Sequence, residues 1–423
     1  MSLNTRPPLP GRVVQRRPPL AWRNVQRGGA RSLSAMAGVG FVVTMVLLQL
    51  GFLEAVRVTG TNLYDQLDFD VALISPQYDQ LYDAGTFPAE RLRQAEAVET
   101  VVDAQPMHVA LVPWRCPPSP LEPERAGEGA PGGSHTPAPP SAGAPRPVQR
   151  RELVAIGIDL QRNPFREPIR GRIEAARAQL ELDGRVLLSE QSHPDFGWWA
   201  WPAFRGWELG RSAVEVVGGF PLDRGFGADG AVLVSDLTFQ RRCTSRWTRG
   251  VSLGLLRVRP GTEGETVRRL KQILPPDTVA LARDALKARE EDFWVRQTST
   301  GNIFASGVLV AMAVAVVVVY QVLSNDVRRH LPEYATLKAM GYTNRYLSRV
   351  VVVQALIYAL GAFGPAVVLA YVAYQVTAAL AKIPMRMTVS NLALALGMAA
   401  AVSLLSALLS VGKLRTVDPA ELF

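Results

Sequence analysis

Four long apolar runs without a charged side chain divide this chain. They are Ser32–Leu53, Gln297–Asn325, Val350–Ala381 and Met387–Gly412. Charged residues make up 20% of the whole, so runs of this length do not arise by chance. A bilayer core about 30 Å thick needs roughly 20 apolar residues of helix, and each run is long enough. The pattern therefore predicts a membrane protein with four transmembrane α-helices.

The distribution of basic residues predicts how these helices are oriented. Residues 1–32 carry seven arginines and no acidic residue, and Ser324–Arg349 is also basic. The positive-inside rule places both segments in the cytoplasm. With four crossings, both chain ends are then cytoplasmic and the long interval between the first two crossings lies outside.

This interpretation divides the chain into nine parts. They are a basic N-terminal segment (1–32), a first helix (33–53), an extracytoplasmic domain (54–302), a second helix (303–323), a cytoplasmic loop (324–349), a third helix (350–372), a short extracytoplasmic connection (373–390), a fourth helix (391–411) and a cytoplasmic tail (412–423).

The extracytoplasmic interval is predicted to fold as a large α+β domain inserted between the first two helices. Short β-branched stretches indicate strands, and apolar residues at helical spacing indicate helices. The strands are Val71–Ile74, Val109–Val112, Leu153–Ile158, Val214–Val217 and Leu253–Val258, and the helices are Phe87–Val98 and Glu265–Ile273. Residues 117–147 hold ten prolines and five glycines, which predicts a disordered insertion. This insertion is either a tolerated surface loop or a tether for a partner.

The net charge of +9 would suggest a nucleic-acid ligand in a soluble protein. Here the arginines cluster beside the apolar runs, where membrane topology explains them. We therefore expect no nucleic-acid partner.

Motifs for chemistry are not found in this sequence. It contains no Gly-x-x-x-x-Gly-Lys-Ser/Thr phosphate loop, no His-Glu-x-x-His and no Gly-x-Ser-x-Gly, and its four histidines are scattered. We expect no catalytic residue, no metal site and no cofactor bound by this chain.

The apolar runs carry no ionisable Asp, Glu, Lys or Arg, which argues against an ion-coupled transporter. The energy for any transport must come from another molecule.

The two cysteines, Cys116 and Cys243, both fall in the extracytoplasmic interval. A disulfide between them and two separate thiols are both compatible with the sequence, because sequence does not give their separation.

The cytoplasmic loop is predicted to contain a short helix. Pro332 suits a first helical turn, Glu333 there favours the helix dipole, and Gly341 offers a stop. Leu337 and Met340 lie three residues apart, which predicts an apolar face. Two interpretations are open: a helix lying at the membrane surface, or a helix that docks into another protein and passes force to the second and third crossings.

Two further segments are distinctive. Phe196–Trp207 holds four of the eight tryptophans, which form either a packed corner of the domain or a contact with lipid, cargo or a partner. Those tryptophans are Trp198, Trp199, Trp201 and Trp207. In the third crossing, Pro365 is predicted to kink the helix, while Gly361 and Gly364 permit close helix approach. This kink is either ordinary packing or a hinge.

Short sequence stretches in order along the chain resemble the FtsX/MacB-type ABC transporter permeases, and among them most nearly the DevC branch. The resemblance centres on the loop residues Glu333–Tyr342, which look like the family's ATPase-coupling segment. The other stretches are Leu20–Trp22, Gln49–Phe52, Leu73–Tyr78, Ala228–Gly230, Ser235–Asp236, Val319–Gln321, Lys413–Arg415 and Asp418–Ala420. The Pro-rich insertion is longer than the family pattern leads us to expect.

The resemblance implies a non-catalytic permease subunit of a type VII-like ABC exporter. It implies a homodimer in a bacterial inner membrane, a cytoplasmic ABC ATPase dimer that binds ATP and Mg²⁺, a periplasmic membrane-fusion adaptor and an outer-membrane channel. Cargo would be lipid-like or hydrophobic. The coupling residues carried over by the match are Glu333, Tyr334, Ala335, Leu337, Lys338, Met340, Gly341 and Tyr342.

Other functions within and outside this family are also compatible with the sequence. Some FtsX-type permeases extract lipoproteins, and others regulate wall hydrolases. A protein of another class, a membrane-anchored periplasmic sensor, would need an output domain in the cytoplasm, where the longest predicted stretch is about 32 residues.

Overall fold

A computed structural model describes residues 25–26, 28–116, 149–223, 229–243, 250–381 and 384–415. The chain forms two compact units. The helical unit contains residues up to Phe52, Phe304–Val376 and residues from Arg386 onward, and the sheet unit contains Leu53–Ile303 with Thr377–Met385. The predicted Pro-rich insertion lies outside the described residues.

Four helices in the described part of the chain are long and apolar enough to cross a membrane. They are α1 (Ala30–Asp65), α7 (Ser299–Arg329), α9 (Asn344–Ala381) and α10 (Val389–Arg415). Each contains one of the predicted crossings and extends beyond it. A short helix, α8 (Leu331–Ala339), lies between α7 and α9.

Small and β-branched side chains form the core of the helical unit. Val43 and Leu47 of α1, Ala315 of α7 and Ala362 of α9 are buried in one cluster. Large apolar side chains elsewhere on these helices are exposed, such as Leu309 at 70%. Apolar side chains that face outward all round a bundle are typical of helices whose solvent is lipid.

The sheet unit is built on one mixed sheet. Its strands are β1 (Val71–Ile74), β2 (Val101–Cys116), β3 (Gln149–Ile158), β4 (Arg185–Ser189), β5 (Glu208–Leu209), β6 (Ser212–Ala213), β7 (Glu215–Phe220), β8 (Ala231–Ser235), β9 (Leu253–Val258) and β10 (Val279–Ala282). The main order is β10-β1-β9-β2-β3-β8-β4-β7, and β5 pairs with both β2 and β6. The β3–β8 and β4–β7 pairs are parallel, and the other pairs are antiparallel.

Among the described residues, five α-helices accompany this sheet. They are α2 (Glu90–Glu96), α3 (Ile169–Leu180), α4 (Asp236–Arg242), α5 (Glu263–Ile273) and α6 (Arg283–Asp292). One turn of π-helix, Phe293–Gln297, follows α6 and leads into α7.

Both faces of the sheet are covered by buried apolar side chains. Successive residues of a strand point to opposite faces, so one strand contributes to two clusters. In β3, Ile156 and Ile158 join one buried cluster, whereas Leu153 and Ala155 join another. The same alternation gives β1 and β9 a buried residue on each side. The predicted fold class, four membrane helices and a large α+β domain inserted between the first two, is confirmed.

Candidate functional site

The segment between α7 and α9 begins with helix α8, as its sequence predicted. His330 is the N-cap, Pro332 lies in the first turn, and Glu333 is the acidic residue of that turn. Proline fits there because the first turn has no intrahelical acceptor for its missing N–H.

Helix α8 ends in a Schellman motif. Gly341 has a φ of +90°, and its N–H donates to the carbonyl of Lys338 at 3.0 Å. The N–H of Tyr342 donates to the carbonyl of Leu337 at 3.1 Å. Glycine is required because this left-handed conformation strains any residue with a Cβ. Helix α8 therefore ends just before Gly341, as predicted.

The buried face of α8 differs from the expected one. Tyr334 and Ala335 are 2% and 6% exposed, and Leu337 packs at the edge of the same core. Met340, expected to share a face with Leu337, is 63% exposed. The reason is that Met340 caps the helix and the chain reverses immediately after it.

The exposed side of this segment combines charge with large apolar groups. Glu333 and Gly341 are exposed, and Lys338 is partly exposed. Tyr342 is 45% exposed and its ring lies 5.0 Å from that of Tyr346. Charged residues around exposed aromatic and Met side chains are typical of protein interfaces.

A polar cluster that the sequence analysis missed anchors this segment to the bundle. Asp326, near the end of α7, accepts hydrogen bonds from Tyr358 at 3.2 Å and from Gln354 of α9. Gln354 also donates to the Tyr358 hydroxyl at 3.2 Å, and His330 Nδ1 lies 3.0 Å from the Asp326 carbonyl oxygen. Gln354 within an apolar run is the one signal that could have indicated this cluster. The anchor ties α8 to the helices on both sides of it.

Helix α9 is continuous through Pro365. A Cβ on Gly361 would lie 3.3 Å from Met36 Sδ, so Gly361 is at a close helix contact. A Cβ on Gly364 would meet no described atom within 4 Å. The tightest contact in α1 is instead at Gly51, where a Cβ would lie 2.3 Å from the Tyr374 ring. The hinge role of Gly361, Gly364 and Pro365 stays a prediction.

The four clustered tryptophans differ in burial. Trp207 is 2% exposed and its ring lies 5.3 Å from the Trp114 ring, while Trp198 and Trp201 stack at 5.3 Å. Trp199 is 49% exposed, although its indole N–H donates to the Pro194 carbonyl at 2.9 Å. Packing thus accounts for three of these side chains, and Trp199 is the one whose surface is available to a partner.

The cysteines are two thiols in this structure. Cys116 is buried and its Sγ lies 2.9 Å from the carbonyl oxygen of Asp195, while Cys243 packs at the edge of the same apolar cluster. Burial raises the pKa of Cys116 to about 11 and that of Cys243 to about 12. No group of three or more His, Cys, Asp or Glu residues suited to a metal occurs among the described residues.

Comparisons with known proteins bear on these features. Residues 305–419 match the family described as FtsX-like permease C-terminal. A search of curated proteins gave no match.

Two solved structures are similar to part of the chain. The extracellular domain of the noncanonic ABC-type transporter YknZ from Gram-positive bacteria is 12% identical, with a TM-score of 0.29 over 51% of this chain and 100% of that one. The periplasmic region of MacB from Actinobacillus actinomycetemcomitans is 11% identical, with a TM-score of 0.32 over 57% of this chain and 98% of that one.

The apolar helices and the family match together define the class. The four apolar helices are typical of a multi-pass membrane protein, and the C-terminal part of the chain is similar to a permease domain. Helices α7 to α10 lie almost entirely within the matched residues, so the predicted resemblance to FtsX-type permeases is confirmed over this part of the chain.

Proposed function

We propose that this protein is the permease subunit of an ABC exporter, and that the segment Glu333–Tyr342 is its contact with a separate cytoplasmic ATPase. The observation that carries the proposal is the construction of this segment within the matched domain. Tyr334 and Ala335 fix α8 to the bundle, while Glu333, Met340 and Tyr342 remain exposed.

The anchor explains how the contact can transmit force. A push on α8 reaches α7 and α9 through Asp326, Tyr358 and Gln354. Packed helices respond to such a push as rigid elements, because close-packed interiors transmit strain. The permease supplies no chemistry in this scheme, and ATP and Mg²⁺ bind to the partner ATPase.

The remaining parts of the assembly follow from the resemblance to DevC-like permeases. The protein works as a homodimer in a bacterial inner membrane, with both chain ends in the cytoplasm. The sheet unit faces the periplasm and contacts a membrane-fusion adaptor, which leads to an outer-membrane channel. The cargo is lipid-like or hydrophobic, and membrane lipid surrounds the four helices. The exposed Trp199 is a candidate contact for lipid, cargo or adaptor.

The experiment reverses the charges of the proposed contact. The double variant Glu333→Lys with Lys338→Glu keeps net charge constant, so insertion is expected to be normal. Stimulation of the co-purified ATPase by the permease is expected to fall about tenfold or more, the scale of losing a charged interface pair.

A matched control exchanges the exposed pair Glu265 and Arg269 of α5, whose charged atoms lie 2.6 Å apart. This control is expected to leave ATPase stimulation unchanged. Normal stimulation in the Glu333 and Lys338 double variant would remove the coupling role. Absence of any associated ATPase with the parent protein would favour a membrane-anchored sensor instead.

A further inference from the structure

Two segments of the sheet unit continue into the first two membrane-spanning helices, and they pack against each other inside that unit. One is the last part of α1, Leu53–Asp65, and the other is α6 with the following π turn, Arg283–Gln297. We call them the first and second connecting segments.

The two connecting segments run in opposite directions where they contact each other. A Cβ on Gly60 would lie 2.5 Å from Trp294 Cδ1, so only glycine permits this approach. Further along, Lys287 Nζ lies 2.7 Å from Asp65 Oδ1. Arg283 Nη2 donates to the Tyr64 carbonyl at 2.8 Å. The segments therefore form an antiparallel helical pair.

A single carboxylate lies at the centre of this pair. Glu290 is fully buried and accepts four hydrogen bonds. Its Oε2 accepts from the hydroxyls of Tyr78 at 2.6 Å and Tyr64 at 3.3 Å. Its Oε1 accepts from the Trp294 indole N–H at 2.9 Å and the Leu81 backbone N–H at 3.1 Å.

These donors come from three different parts of the chain. Tyr64 belongs to the first connecting segment, Trp294 to the second, and Tyr78 and Leu81 to the loop that follows β1. Arg289 reinforces the same loop, since its guanidinium lies 5.6 Å from the centre of the Tyr78 ring. Glu290 thus joins both connecting segments to the body of the sheet unit.

Stability alone does not require a carboxylate here. Burial raises the pKa of Glu290, which reflects the cost of holding its charge away from water. An apolar side chain of similar volume would often be as stable in such a place. Unlike an apolar side chain, a carboxylate with four directed donors fixes one relative position of the three segments.

We propose that Glu290 is a positioning residue that fixes the two connecting segments to each other and to the sheet unit. Movements of the first and second membrane helices then reach the sheet unit as a displacement of one body. That this displacement serves transport rests on the proposed function. The fixed position of the two connecting segments relative to each other does not.

The test measures geometry directly in the full-length protein. Nitroxide labels are placed at Arg57→Cys and Ala288→Cys, which are exposed positions on the two segments, in a background with Cys116→Ala and Cys243→Ala. Pulsed electron resonance then gives the distribution of distances between the labels. We expect a narrow distribution in this parent and one about twofold wider in Glu290→Gln, since the amide NH₂ cannot accept from the donors it faces.

Three further variants separate positioning from folding. Glu291→Gln is the matched control at the neighbouring position and is expected to keep the narrow distribution. Tyr78→Phe keeps the ring, removes only the hydroxyl that donates to Glu290 at 2.6 Å, and is expected to widen the distribution even if Glu290→Gln fails to fold. Leu270→Ala, at a fully buried position in another cluster, lowers the melting temperature and is expected to leave the distribution narrow.

The outcomes decide between the two roles. A narrow distribution in both Glu290→Gln and Tyr78→Phe overturns the proposal. Widening in Leu270→Ala to the same extent also overturns it, since the effect would then follow stability. In the second arm, Glu290→Gln is expected to lower the permease's stimulation of the co-purified ATPase about tenfold. Unchanged stimulation despite a wide distribution overturns the mechanical role. If the parent couples to no ATPase, the proposed function fails while the distance arm still decides the geometry.

Discussion

Burial determines what individual side chains of this protein can do. Trp207 and Trp199 belong to one aromatic segment, yet the first is 2% exposed and the second 49%. The cysteines show the same principle in their chemistry, since desolvation disfavours the thiolate. At this scale the surroundings, rather than the residue type, set the role.

The thiols of Cys116 and Cys243 are predicted to be unreactive in the folded protein. With a pKa of about 11, Cys116 is thiolate in only about one molecule in a thousand at pH 8, and the thiolate is the species that reacts. Maleimide labelling at pH 8 should be about a hundredfold slower than at an introduced, exposed Ala288→Cys. Both thiols should label rapidly in denaturant without reductant. Labelling in denaturant only after reduction would instead show that they form a disulfide.

Backbone conformation at one position defines the shape of an entire element in α8. Tyr334 and Ala335 hold the helix to the bundle, and the left-handed Gly341 then turns the chain so that Tyr342 and Tyr346 are exposed. The element would present a different surface if the helix continued past Met340. A Cβ added at position 341 would meet no described atom within 4 Å, so a substitution there would act through backbone strain alone.

Gly341→Ala is predicted to loosen the end of α8. A residue with a Cβ pays roughly 1–2 kcal/mol in this conformation. Hydrogen exchange of the Gly341 and Tyr342 amides, which donate to Lys338 and Leu337, should become faster by about tenfold or more. Gly341→Asn should have a smaller effect, because asparagine tolerates the left-handed region better. Gly264→Ala lies in helix α5, where a Cβ would meet only Arg268 Nη1, at 3.8 Å. It serves as the control and should be neutral or stabilising. Unchanged exchange in Gly341→Ala would show that the Schellman motif does not hold this segment.

At the scale of the whole molecule, the arrangement of segments along the chain carries the functional argument. A large sheet unit is inserted between the first two membrane helices, and the matched permease domain follows it. The chain passes between the units four times, and three of these passages occur within long helices, α1, α7 and α9. A helix is a stiff connection, which suits a protein that passes movement from one unit to the other.

The sheet unit and the α8 segment are predicted to lie on opposite sides of the membrane. In the background lacking Cys116 and Cys243, Ala288→Cys should react with an impermeant maleimide in intact spheroplasts. Thr336→Cys, exposed in α8, should react only after the membrane is opened. The basic segments beside the helices are the physical reason for this orientation. Equal labelling of both positions in intact spheroplasts would contradict it.

The sequence was most informative where one physical constraint dominates over a long stretch. The four apolar runs predicted the membrane helices because lipid excludes charge from about 20 consecutive residues. Strands β1 and β9 were predicted with their observed bounds, Val71–Ile74 and Leu253–Val258. The short strands β4, β8 and β10 were missed, since a run of four or five apolar residues does not distinguish a strand from a buried helix turn. Helix α3 was missed because only Ile169, Ile173 and Leu180 of its residues are buried.

The sequence predicted the position of helix α8 but not which of its faces is buried, and the role of this segment as a site stays a prediction. Pro332, Glu333 and Gly341 indicated where α8 begins and ends, because these are local requirements of the backbone. Which side of α8 is buried depends on α7 and α9, so Met340 was placed on the wrong face. The Asp326 anchor was not predicted either, because its partners lie 28 and 32 residues further along the chain.

The sequence by itself determined the number of membrane helices, the place of the inserted domain and the ends of α8. Each of these depends on residues close together in the chain, or on the exclusion of charge by lipid. Tertiary structure alone decided that Glu290, one of several acidic residues in a charged helix, becomes a buried acceptor. Its four donors come from positions 64, 78, 81 and 294. No local pattern encodes that convergence, because the free energy of a buried charge is set by groups that only folding brings together.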